Sequence, residues 1–327
     1  MFKNVMVYRI GPGWAADLVK IEAALDKDRF AECGASQEMS MGWTEPRNVA
    51  NGPLLESVGG QLILKLMFES KAVPSSVIKR KSEERLAQIE ATTGRKPGKK
   101  ERKEISEDVK LSLLPMAFTK RGAVLVWIDP AAHVLVIDAG SQGRADEVIT
   151  ALVKAIDGFA VLQINTAISP STAMANWLTT QEPPAGFTVD RECELKAADE
   201  SKSVVKYARH ALDIDEVRQH VADGKLPTKL AMTWDGRVSF MLTEGLQIKK
   251  VTFLDGVFDG TSQEKEDGFD ADAAISTGEM RQMIPDLLLA LGGEMALSEA
   301  GTTPATPATA AVAAAPLQPV NLAEAPF

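Results

Sequence analysis

The run AVLVWI (residues 123–128), the turn Asp129-Pro130-Ala131-Ala132 and the run VLVI (residues 134–137) decide the fold class. Both runs are rich in β-branched and aromatic side chains, and a Pro-containing turn separates them. They read as a β-hairpin. Upstream, residues 2–10 alternate well enough for a strand, and Trp14, Leu18, Ile21 and Leu25 then recur at helical spacing. QLILKLMF (residues 61–68) predicts another strand. Downstream, residues 143–157 carry Val148, Leu152 and Ile156 on one helical stripe, residues 161–164 form a short strand, and Ser169-Pro170 opens a helix.

The second half repeats this mixture. Residues 187–195 and 204–212 predict strands, and Asp213 with Glu216 suggests a capping box for a helix ending at Gly224. Residues 230–234 and 238–242 flank Asp235-Gly236, a dipeptide suited to the primed turns of tight hairpins. Residues 246–254 add a strand, and a last helix is expected over 272–291, interrupted or kinked at Pro285. Strands interleaved with helices and hairpins give an α+β class with mixed or antiparallel sheets.

One segment differs. Residues 74–117 predict two charged helices joined by Gly94-Arg95-Lys96-Pro97-Gly98, with few apolar positions, and read as a projecting helical hairpin. The expected organisation is therefore a central α+β region (1–73 with 118–182), a helical tip (74–117), a base α+β domain (183–294) and a disordered Ala/Pro/Thr tail (295–327).

The chain has 327 residues and a net charge of −9, which argues against a uniformly basic nucleic-acid binder. The charge is uneven, however. Residues 71–120 hold thirteen Lys or Arg against seven Asp or Glu, whereas residues 251–327 hold two against twelve. Positive potential is thus concentrated on one segment. Two distant cysteines, Cys33 and Cys193, and no long apolar run point to a cytoplasmic protein without a membrane span.

Signatures of chemistry are sparse. The loop from Gly94 to Lys100 is one residue short of a Walker A loop, lacks its Ser or Thr, and follows a helix. His133, His210 and His220 share no metal-ligand spacing, so no metal or cofactor is expected. Asp129 and Asp138 flank the first hairpin and leave a metal-dependent nuclease as one alternative. A protein-interaction scaffold that docks an acidic partner on the charged helices is another. The cations themselves suit phosphate: flexible Lys and Arg side chains neutralise a duplex backbone and release its counterions. Few aromatics interleave with them, which disfavours single-strand stacking.

Several segments in one order carry a specific resemblance. They are FKNVMVY (residues 2–8), Cys33-Gly34, Met41-Gly42-Trp43, PSSVIK (74–79), LLPMAF (113–118), Trp127-Ile128-Asp129, KLAMTW (229–234), FDAD (269–272), Thr277-Gly278-Glu279 and LGGE (291–294). Together they resemble the RdgC family. That resemblance implies a non-enzymatic, nucleoid-associated protein whose homodimeric ring encircles double-stranded DNA independently of sequence and restrains RecA-mediated recombination. It also implies that Phe118 packs into the opposite subunit at the dimer interface. Arg209 and His210 match a DNA-facing Lys-Gln pair. Arg95, Lys96 and Lys99 match basic tip positions, while Gly98 replaces a Lys and Lys100, Arg102 and Lys103 carry the displaced charge. Lys79, Lys225 and Lys229 are assigned to the channel wall.

Overall fold

The computed structural model describes residues 1–257 and 268–295; the expected tail lies outside them, apart from Met295. Seven helices and twelve strands are described, and every strand pairing is antiparallel. In chain order they are β1 (Val5–Ile10), α1 (Leu18–Lys27), β2 (Met39–Thr44), β3 (Leu55–Val58), β4 (Gln61–Lys71), α2 (Ser75–Thr93) and α3 (Lys99–Leu113). Then come β5 (Thr119–Asp129), β6 (Val134–Asp138), α4 (Gln142–Ala155), β7 (Val161–Gln163), α5 (Pro170–Thr180), β8 (Phe187–Ala197) and β9 (Val204–Ala208). The last are α6 (Asp215–Ala222), β10 (Lys225–Trp234), β11 (Val238–Thr243), β12 (Ile248–Phe253) and α7 (Gly268–Ala290).

The strands form one sheet in the order β2-β4-β5-β6-β1-β12-β11-β10-β8-β9, with β3 also on β4 and β7 also on β1. The join between the two halves is short, Val5 pairing with Ile248. Helices cover the sheet on opposite faces. On β1, Met6, Tyr8 and Ile10 point into a core completed by Ile21 and Leu25 of α1 and by Val148 and Leu152 of α4. Val5, which precedes them on the strand, points into a second core with Met174 and Trp177 of α5 and Met280, Ile284 and Leu287 of α7. Strands β4, β5, β6 and β1 are buried on both faces, which explains the unbroken apolar runs AVLVWI and VLVI.

Strand β10 behaves differently. Leu230, Met232 and Trp234 enter the second core, so Lys229, Ala231 and Thr233 alternate onto the other face, where none of the described helices covers them. This uncovered face carries much of the candidate site.

Several expectations are corrected. The Asp213/Glu216 capping box does not form: α6 begins at Asp215, its cap residue Ile214 supplies no side-chain bond, and Asp215 pairs with Arg218 at 2.6 Å. Strand β9 stops at Ala208 because Arg209 takes a left-handed φ of 56°. Of the interruption or kink expected at Pro285, the interruption does not occur: α7 continues through it, since Met283, Ile284, Leu287 and Leu288 around it are all buried and tertiary packing outweighs the lost backbone bond. By contrast, Asp235 and Gly236 both have positive φ, as a primed turn requires.

Strands β2 and β3 were not expected. In β2, Gly42 lets the chain of residues 29–30 lie directly against the strand: a Cβ at this position would sit 2.5 Å from the Phe30 Cα. Phe30 N–H donates to the Trp43 carbonyl at 2.8 Å and Trp43 N–H to the Asp28 carbonyl at 2.9 Å. The Met41-Gly42-Trp43 segment is therefore a packing motif.

Candidate nucleic-acid interface

Two groups of cations are built by different means. The first lies on α2 and α3, which pack against each other. Gly94, left-handed at φ 71°, closes α2 by donating to the Glu90 carbonyl, and α3 starts at Lys99. Of the side chains here only Ser82, Ile105 and Val109 are buried in the helices, so the sequence affords solvated faces and the cations stand in water.

Most of those cations already have carboxylate partners. Arg95 makes a two-point contact with Glu101 at 2.8 and 3.0 Å, and this guanidinium hydrogen bonding holds the Glu101 carboxyl below the usual range. Lys96 pairs with Glu90 at 3.8 Å, Lys100 with Glu104 at 3.9 Å and Lys103 with Glu107 at 3.7 Å. Arg102 donates to the Pro97 carbonyl at 3.1 Å, bracing the turn. Among the described residues, Lys79, Arg85 and Lys99 have no carboxylate within 4.0 Å, and all three are exposed. They are the cations of this group most available to a phosphate.

Phe118 sits where the chain leaves α3 and enters β5, and 91% of it is exposed. Met116 and Leu111 are exposed beside it in sequence. The Phe118 carbonyl accepts from Ala72 N–H at 3.4 Å, so the backbone is engaged while the ring is not. A local core aromatic, the alternative role for this residue, is inconsistent with that exposure.

The second group lies on the uncovered face of β8 to β12. Strand register sets it: Glu194 of β8 is directly opposite Lys206 of β9 and Lys229 of β10. Both lysines turn to it, Lys206 at 3.0 Å and Lys229 at 3.1 Å, and Thr228 donates its hydroxyl at 2.8 Å. Burial opposes ionisation of Glu194, yet hydrogen bonds from Lys206, Thr228 and Lys229 outweigh it and bring the pKa down to about 2. Glu192 holds Lys250 at 2.8 Å, and Lys249 reaches the Gly140 carbonyl at 3.2 Å. With Asn4, Tyr207 and Met241, these two glutamates and four lysines line a cavity of about 480 Å³.

The sequence-derived residues divide between these places. Lys229 lies in the cavity; Arg209 and His210 follow Ala208, which also lines it. Arg209 is exposed without a carboxylate partner among the described residues, whereas the His210 ring is engaged with the Ala211 carbonyl at 2.7 Å. Lys225 does not line the cavity; its ammonium is 3.1 Å from His220 Nδ1. Lys206, Lys249, Lys250 and the two glutamates were missed. Their signal is a pairing register, not a motif: lysines scattered over three strands are brought together by the sheet.

Asp129 and Asp138 hold the backbone. The former accepts from Ala131 and Ala132 N–H, each at 3.0 Å, and the latter from Lys3 at 3.0 Å and Asn4 at 2.7 Å. Burial pushes the Asp138 carboxyl up despite those bonds. Among the described residues, no group of three or more His, Cys, Asp or Glu is placed to hold a metal, and no helix is long and apolar enough to cross a membrane.

The fold and site define a class: an α+β protein of one large antiparallel sheet, with cations gathered on a helical pair and on an open sheet face. The chain belongs to the RdgC family, whose model, described as "Putative exonuclease, RdgC", matches residues 1–294. It is similar to proteins named "Recombination-associated protein RdgC" from Dechloromonas aromatica (strain RCB), with 43% identity over 300 residues, and Janthinobacterium sp. (strain Marseille), with 44% over 297. A relative of the same name from Cupriavidus necator is 45% identical over 297 residues. In each comparison the match covers 90% of this chain and 98% of the relative. The relatives' names state a role in recombination and no catalytic activity.

Proposed function

We propose that two copies of this chain close a ring around double-stranded DNA, bind it without base readout, and so restrain RecA-mediated recombination on the nucleoid. The observation that carries this reading is the 91% exposure of Phe118 beside a cationic helical pair. A large aromatic left in water at the exit of α3 suits a contact completed by a second subunit. The unpaired Lys79, Arg85, Lys99 and Arg209 provide phosphate contacts, which fix position on a duplex without carrying sequence information. A closed ring makes bound lifetime depend on interface opening as well as on phosphate contacts. Modest affinity then gives persistence, and duplex so occupied is withheld from the recombinase.

The test compares retention on linear duplex with blocked and with free ends, for the wild type and Phe118→Ser. The ring reading expects the wild type to persist on blocked DNA and the variant to slide or dissociate. Equal retention by both proteins on both substrates removes encirclement. The description attached to the family model favours a second reading, a nuclease. Incubation of circular and of linear end-labelled duplex with Mg²⁺ or Mn²⁺ decides it: degradation lost on Asp129→Ala or Asp138→Ala supports the enzyme, and both DNAs left intact remove it.

A further inference from the structure

Lys206 and Lys229 face the open side of the sheet, yet neither is free. Glu194 lies between them, in direct register with both, with only 18% of its side chain exposed. One carboxylate oxygen accepts from Thr228 at 2.8 Å, and the group accepts from an ammonium on either side. A phosphodiester offers those lysines the same thing: two anionic oxygens at hydrogen-bonding distance.

We propose that Glu194 is an internal stand-in for a backbone phosphate, which keeps Lys206 and Lys229 in place and sets a ceiling on how tightly this face holds a polyanion. The inference rests on the duplex-binding reading above and names the residue that tunes it. When a phosphodiester approaches, it must take an ammonium from Glu194 and leave that carboxylate less well paired. Part of the Coulomb gain is cancelled, and fewer counterions are released per contact. A ring that must also leave DNA gains from such a brake. Its neighbours on this face differ: among the described residues Glu192 holds Lys250 alone, at 2.8 Å, and Lys249 is bound to a neutral carbonyl.

The experiment is duplex binding at stepped salt for the wild type, Glu194→Gln, Lys206→Met/Lys229→Met, the triple variant, and Glu182→Gln, an exposed glutamate after α5. Glutamine keeps the shape and the bond to Thr228 but frees both ammonium groups. One extra phosphate contact at 0.1 M salt corresponds to about an eightfold gain, and two to roughly sixtyfold, with the salt slope steeper by about 1 to 2. Glu194→Gln is expected to tighten binding within that range. The lysine pair should weaken wild-type binding, adding Glu194→Gln to it should recover less than about twofold, and Glu182→Gln should do nothing. Unchanged affinity for Glu194→Gln, a gain that survives in the triple variant, or an equal gain from Glu182→Gln each overturns the proposal. Thermal melts confirm folding, and Glu194→Asp, too short to span both lysines, gives a second variant expected to show a smaller gain. Absence of duplex binding by the wild type is a separate outcome, which removes the underlying reading itself.

Discussion

Arg281 of α7 sets its guanidinium 2.9 Å from Oδ2 of Asp129, at the end of β5, and only 1% of that carboxylate side chain is exposed. The contact joins a helix of the C-terminal part to the first hairpin as an ion pair; its angles are not those of a hydrogen bond, which leaves Oδ2 dependent on charge alone. Removing the guanidinium strands a buried carboxylate. Arg281 is itself half exposed, so the expected loss is about 1–3 kcal/mol rather than that of a fully enclosed pair. Arg281→Ala should lower the urea midpoint accordingly, and Asp129→Asn added to it should restore part. A midpoint unchanged in Arg281→Ala rules out the pair as a stabilising link.

Gly42 lets the backbone of residues 29–30 lie directly against the edge strand β2. A methyl group there meets the Phe30 Cα at 2.5 Å and its amide nitrogen at 2.6 Å, backbone atoms that cannot rotate away. Gly42→Ala should cost about 1–3 kcal/mol, read as a lowered melting temperature with duplex binding kept in the folded fraction. A melt within a degree of the wild type would show that residues 29–30 yield freely.

These elements differ in how plainly the sequence announces them. AVLVWI and VLVI are legible because burial on both faces makes a run apolar throughout, and Asp235-Gly236 because only a primed turn fits it. MSMGWT is not legible as β2, because its packing depends on Gly42 and on a neighbouring segment rather than on alternation. The helical-pair cations were visible as a local excess of Lys and Arg. The cluster around Glu194 was invisible, since its lysines come from residues 206, 229, 249 and 250 and only strand pairing unites them. Sequence also overstated the free charge of the helical pair: it counts Arg95 and Glu101 separately, whereas the fold couples them at 2.8 Å.

That coupling separates two substitutions. Lys99→Ala removes a cation without a carboxylate partner among the described residues, so the slope of log K against log salt should fall by about 0.9. Arg95→Ala/Glu101→Ala removes a pair of no net charge and should leave the slope nearly unchanged. Equal losses from both would mean that Arg95 abandons Glu101 on binding.

Phe118 gives a prediction in which stability and assembly part company. With 91% of the residue in water, Phe118→Ser removes no contact that holds the monomer, and the unfolding free energy should stay within about 0.5 kcal/mol. Sedimentation at micromolar protein should nevertheless show a shift toward monomer. A large drop in stability, with the same distribution of species, would place the ring in a contact within its own chain.

Glu194 should reveal itself in acid. Its pKa is about 2 in the folded protein against an ordinary value of 4.5, so the folded state binds its proton less readily than the unfolded chain does. The stabilisation is therefore complete above about pH 4.5 and is lost as the pH falls through the folded value near 2. Unfolding by urea, compared for the wild type and Glu194→Gln from pH 7 to pH 2, should give a wild-type advantage that is constant down to about 4.5 and then shrinks. The substitution that tightens DNA binding at neutral pH should thus weaken the fold at the same pH, because the lysines that Glu194 withholds from phosphate are the ones that stabilise its charge. Parallel stability curves across that range would mean that Lys206 and Lys229 do not hold the carboxylate ionised, and the proposed brake would lose its physical basis.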